Sequence, residues 1–302
     1  MADGKEFLYR LRQGMSEDSD SSFLDTRTSY TYLWEGATEF VNRTECLRAE
    51  QAITTVAEQE ENALAADFLR FYMRDSSGDF FVKYNDGTNV SFPTFVDYQE
   101  IYHANNTTSV SVPDRFSVID RAIYSRITGT CTSSGALSAG ETTLTDSAAD
   151  FTNVSAGDII HNTTDVSDGI VLSKTSSTVL VTALFGGTDN DWDSTDAYVI
   201  QPQGRLQLIL DPPPSTSGHT VTVPYIQRPA PVFSSYGVYK FQPQYIDALV
   251  AYVQWKYKYR DREPQFGDAL FQMFERATRM NQFNLNQTFQ RTGLKVNLKK
   301  RI

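Results

Sequence analysis

The chain has 302 residues, is 40% hydrophobic and 13% aromatic, and carries a net charge of −10. That length and apolar content predict a folded protein of one large domain or two smaller ones. They sit with an acidic balance that argues against broad binding to nucleic-acid phosphates. Cys46 and Cys131 provide neither a disulfide framework nor metal-ligand spacing, so a reducing compartment is expected. No signal-peptide-like start and no run of about 18 apolar residues is present, so no membrane span is expected. The charge is uneven. After Glu275 there is no acid, while Arg276, Arg279, Arg291, Lys295, Lys299, Lys300 and Arg301 follow, leaving −17 on the rest of the chain.

In chain order, Phe7, Leu8 and Leu11 predict a short helix over 5–13, and a Ser/Asp/Glu run from Gly14 to Ser22 reads as a joint. Asp25 or Thr26 is a fitting N-cap for a helix through Tyr30, Leu33, Trp34, Ala37, Phe40 and Val41. Strand character follows at 53–56, 68–72 and 80–84, the last leading into an Asn-Asp-Gly turn before Val90. A short helix is expected between Pro93 and Tyr102, and a strand at 112–119. Residues 128–200 are rich in Thr, Ser, Gly and Asp, with short apolar beats every 8–12 residues or so, the rhythm of a small all-β module. Phe116–Ile119 before it and Leu206–Leu210 after it read as strands of a host domain, with the module inserted between them. Val221–Ile226 is expected to pair with Leu206–Leu210 as a hairpin. From Pro243 to Phe289 apolar residues recur at three- and four-residue steps on either side of Pro264, which predicts a helical hairpin.

The expected fold is therefore α+β: a helical-bundle body with antiparallel strands and an inserted all-β barrel or sandwich. The corresponding segments are 1–127 and 201–291 for the body, 128–200 for the insertion and 292–302 for a basic arm. The arm, Leu294, Lys295, Val296, Asn297, Leu298, Lys299, Lys300, Arg301 and Ile302, alternates weakly and has nothing local to fold against. It reads as a segment that orders on a partner, extended or as a short strand.

A search for chemistry finds no catalytic, metal or cofactor constellation. His103, His161 and His219 lie in three segments with no second ligand at metal spacing. Asp189, Asn190, Asp191, Asp193 and Asp196 could offer oxygens to calcium, but the loop lacks a downstream bidentate Glu and contains Trp192; it reads as a solvated acidic loop. Glu58, Glu60 and Glu61 read as a solvated face. The chain is expected not to be an enzyme.

The order of elements resembles the head-to-tail adaptor (connector) proteins of tailed bacteriophages. The residues that carry the likeness are Tyr32-Leu33-Trp34, Asp67–Phe71, Val112–Phe116, Leu208–Pro214, Val223–Ile226 with Arg228-Pro229, and the closing helices from Gln244. The resemblance implies a structural virion protein, assembled in the host cytoplasm. It would form a homo-oligomeric ring, commonly of twelve copies, between the portal protein and the tail or nozzle, with DNA passing through an acidic channel without specific binding. It also implies that the arm docks on the portal. A ring requires heterologous contacts, for which Trp255, Tyr257, Tyr259, Phe266 and Phe283 are candidates. Two other readings compete. One is a tail-completion or nozzle protein. The other is a carbohydrate-binding tail fibre protein, with saccharide held at Trp192 and Tyr198.

Overall fold

The computed structural model describes residues 3–16, 23–72, 80–104, 108–240, 245–261 and 264–292, with the backbone alone described at 104, 121–122, 264, 266 and 282–292. The chain divides into a helical unit, Glu6–Cys46 with Phe241–Ile302, and a β unit, Asp3–Lys5 with Leu47–Lys240. Among the described residues, fifteen strands in three sheets stand against helices covering 27% of the chain. This corrects the expected helical-bundle body: the protein is mostly β. Helical periodicity is a strong local signal, whereas strands of two to ten residues, many of them paired across long stretches of chain, leave only a weak one.

The helical unit contains all but the first two residues of α1 (Gly4–Met15), together with α2 (Thr26–Thr44), α4 (Ile246–Arg260) and α5 (Pro264–Thr292). Asp25 caps α2, its carboxylate accepting from Thr28 N at 2.8 Å. Glu45 closes the helix in the left-handed region (φ 57°), donating its amide to Val41 O at 2.8 Å. Such caps satisfy amides and carbonyls that a helix end leaves orphaned. Phe7, Tyr30, Phe40, Leu249, Val253 and Phe274 are buried. Gly36 permits the close crossing of α2 and α4: a Cβ there would lie 2.6 Å from Tyr252 Cδ1. Pro264 opens α5, where a missing amide costs nothing.

Two sheets of the β unit share a core that includes Phe68, Tyr84, Phe116, Leu208, Val221 and Val223. The first comprises β1 (Arg48–Thr54), β15 (Thr220–Gln227), β4 (Lys83–Asn85) and β5 (Val90–Ser91), with β3 (Phe68–Phe71) also paired to β15. The second runs β2 (Glu61–Ala63), β14 (Arg205–Asp211), β7 (Arg115–Ala122) and β6 (Thr94–Phe95), followed by the short α3 (Tyr98–Ala104). Val221–Ile226 therefore does not form a hairpin with Leu206–Leu210. After Pro212-Pro213-Pro214 the chain crosses to the other sheet, and β15 pairs antiparallel with β1, Arg48 opposite Ile226 and Thr54 opposite Thr220. Pro224 sits inside β15 without cost to that ladder. Gln227 N donates to Leu47 O and Thr55 N to His219 O, so the odd-numbered residues of β15 face β1 and residue 224 faces away. On that far side the ladder to β4 has already stopped at Thr222–Lys83.

The third sheet has the order β8 (Ile127–Thr130), β13 (Ala197–Gln201), β10 (Ile159–Asn162), β11 (Ser167–Ser176), β12 (Val179–Phe185) and β9 (Thr142–Thr145). It curls so that the chain just past β8 meets β9, with Thr132 N donating to Thr145 O at 2.7 Å, and it encloses Phe151, Leu180, Trp192 and Tyr198. This module leaves from the end of β7 and returns at the start of β14. Those strands pair from Ala122–Arg205 to Asp211–Arg115, so its two attachment points lie side by side.

Candidate assembly surfaces

The five aromatic interface candidates have different fates. Tyr257 is wholly buried: its hydroxyl lies 3.0 Å from Ser29 Oγ, and its ring packs against Phe23 and Tyr32 at 5.4 and 5.3 Å. A side chain so enclosed holds α4 to α2 and has no surface to offer a neighbour. Burial pushes its phenol up to about 12. Because the folded state keeps this proton above pH 10 and the unfolded state does not, stability contributed here is intact below pH 10 and falls as pH rises toward 12. The expected loss over that window is on the order of 2 kcal/mol, read as an alkaline slope in urea unfolding of the helical signal that Tyr257→Phe flattens.

Trp255 and Tyr259 do lie together near the surface. Their rings are 5.3 Å apart, Trp255 packs against Phe271 in a tilted arrangement at 4.6 Å, and Tyr259 is 51% exposed. Gly267 lets α5 approach this pair, since a Cβ there would stand 3.1 Å from Trp255 Cδ1. Lys256 lies 5.5 Å from the Trp255 ring and bonds Glu35 at 3.1 Å. Phe266 and Phe283 belong to α5, but their side chains lie outside the described residues, as does the whole arm Leu294–Ile302.

Sequence reasoning missed the outer face of α5. Gly267, Phe274, Thr278 and Asn281 form its buried stripe, and Tyr245 donates its hydroxyl to Asn281 Oδ1. On the other side Met273 and Met280, one heptad apart, are 59% and 57% exposed, with exposed Arg276 between them. Their seven-residue spacing was readable. What the spacing lacked was the direction, because Met273 and Met280 look as much like core residues as Phe274 does.

The β unit contributes an open strand edge. In β1 the odd-numbered residues bond β15, so the backbone N–H and C=O of Glu50, Ala52 and Thr54 point away from it. Among the described residues no strand pairs there. The neighbouring edge of β2 is covered: Gln51 Nε2 donates to Ala63 O at 3.0 Å, and Ala65 N donates to Gln51 Oε1 at 2.7 Å.

In the module, neither Trp192 nor Tyr198 has a face for a sugar. Both are buried, the indole donating to Thr182 Oγ1 at 2.9 Å and the phenol to Asp146 Oδ2 at 2.7 Å. The Asp189–Asp196 loop is only partly solvated. Asp196 is buried and accepts from Asn162 Nδ2 at 2.9 Å and Asp193 N at 2.8 Å, a local brace. The Asp191 carboxyl is held above its usual range by burial and by the like charges of Asp189 and Asp193. Among the described residues no three His, Cys, Asp or Glu side chains converge as metal ligands would.

No family model and no curated protein matches the chain.

Of the histidines, His161 meets Asp168 across β10 and β11, and His219 Nδ1 lies 2.7 Å from Tyr84 OH. Both arrangements tie neighbouring strands. No described helix is long and apolar enough to cross a membrane.

Proposed function

We propose that this chain is a structural part of a tailed-phage particle, a head-to-tail adaptor. In this reading copies form a ring, twelve in number, between the portal and the tail or nozzle, continuing the passage for DNA. The observation that carries it is the outer face of α5. Two half-exposed methionines flank an arginine there, and Met and Arg are enriched at interface centres relative to ordinary surface. The exposed Tyr259 and the adjoining Trp255 on α4 add aromatic area of the kind that anchors such contacts. The order of elements along the chain is the second support. Burial of Trp192 and Tyr198 withdraws the aromatic platform on which the saccharide reading rested.

Electron microscopy of the full chain, alone and mixed with the portal of the same particle, tests the proposal. Twelve-fold rings seated on the portal are expected. Met273→Glu with Met280→Glu should leave the circular dichroism unchanged and abolish the rings. Rings that seat only on isolated tails would assign the chain to tail completion, and a protein that stays monomeric with every partner would overturn the reading.

A further inference from the structure

The outer edge of β1 presents outward amides and carbonyls at Glu50, Ala52 and Thr54, and the row of side chains on its inner face is incompletely covered. Ala49 and Ile53 pack against the sandwich core yet remain partly exposed. Folded proteins seldom leave such an edge unprotected, because it is a template for another strand. Protection is present next door, where the Gln51 amide occupies the edge of β2. The surroundings are acidic. Glu50 lies on β1, Glu58 and Glu60 are exposed just beyond it, and Glu61 begins β2. Arg48 is the opposing charge, and it is engaged over the Tyr72 ring at 5.1 Å.

One segment of the chain itself matches this edge in three respects. Residues 294–302 alternate, with Leu294, Val296 and Leu298 separated by Lys295 and Asn297. Added to β1, that apolar row would continue the inner row of Ala49 and Ile53, and the other row would lie on the outer face beside Glu50. The segment has no acid and contains Lys295, Lys299, Lys300 and Arg301, complementary to the glutamates. Its nine residues suffice to run along all seven of β1.

We propose that the outer edge of β1 is a strand-addition site for residues 294–302 of a second copy of this chain. This deepens the ring reading, on which it rests for the meeting of copies, and assigns the arm to a neighbour in place of the portal. Backbone pairing supplies the affinity, and the alternate apolar and basic rows set the register.

The test is disulfide trapping in trans. One full-length population carries Ala52→Cys, the other Asn297→Cys, so that both thiols lie on the outer face; both are in a Cys46→Ser background, and they are mixed and oxidised. A crosslinked heterodimer is expected. Ala52→Pro removes an amide that faces outward and not toward β15, so the protein should fold as before. With Cys moved to Thr54, it should trap about tenfold less. Glu50→Lys, which leaves the backbone alone, should lower trapping in low salt and much less in high salt. Trapping only within a doubly substituted single chain would overturn the second-copy assignment, and no trapping in either format would overturn the site. The ring reading is separable. Rings on the portal without trapping leave that reading standing and end this one; trapping without rings does the reverse.

Discussion

Trp192→Ala is expected to unfold the six-stranded module while leaving the helical unit intact. Trp192 is wholly enclosed among Cys131, Leu144, Leu180 and Tyr198, and its indole N–H is satisfied by Thr182. Its carbonyl also accepts from Gly135 N at 2.7 Å, which fastens the connection between β8 and β9 to the one between β12 and β13. Truncation removes that packing, opens a cavity and leaves the Thr182 hydroxyl without its donor. Large aromatic-to-alanine changes in a core cost about 3–5 kcal/mol, and a small module has little more than that to lose. Hydrogen exchange followed by peptide mass analysis checks it. Amides in 127–201 should lose protection, while those of α4 (246–260) should exchange at the native rate. Uniform loss across both regions would mean that the two unfold as one cooperative body. A variant that exchanges like the parent would mean the indole contributes little to packing.

Arg115→Ala is expected to cost a similar amount by a different route. Arg115 and Asp211 face each other across the β7–β14 pair, and the Arg115 guanidinium meets an Asp211 carboxylate that is 3% exposed. Removing the cation strands a buried anion, which costs about 3–5 kcal/mol when one partner of a buried pair is deleted. Replacing both residues, Arg115→Met with Asp211→Leu, should recover most of the loss, because the uncompensated charge is then gone. Urea unfolding of the two singles and the double gives the coupling energy directly. A double variant no better than Arg115→Ala would show that the pair matters for shape and not for charge.

Local signals were readable in the sequence, and distant pairings were not. The Asp25 cap, the helix through Tyr30 and Phe40, and the turn of the chain at Pro264 rest on spacings within a few residues, and those elements are present. The punctuated rhythm of 128–200 likewise reflects turns that a sequence displays openly. The weight of β structure in the body was misjudged because Val221 and Val223 alternate in a way that declares an inward face without naming the neighbouring strand. That neighbour, β1, lies some 170 residues earlier. The same limit applies to the surfaces. Tyr257 and Tyr259 stand two residues apart on one predicted helix and read alike as interface candidates, but the Ser29 hydroxyl that draws one of them inward belongs to α2. The open edge of β1 was invisible for the same reason, since an edge is defined by the strand that is missing beside it.

The two units also differ in when they can form. Everything the β unit needs, apart from Asp3–Lys5, is contained in the continuous stretch Leu47–Lys240. It can therefore be complete while the ribosome is still adding the remainder, since domains fold as units during synthesis. The helical unit has no such freedom. Phe7, Tyr30 and Phe40 emerge first and must wait through nearly two hundred further residues for the buried residues of α4 and α5. A nascent chain that has emerged from the ribosome only as far as residue 244 should thus carry a finished sandwich and an unsatisfied, sticky leading end, an obvious client for a chaperone. The helices that bear Tyr259, Met273 and Met280 leave the ribosome after the β unit, so the surface proposed to meet neighbouring copies appears after the sandwich.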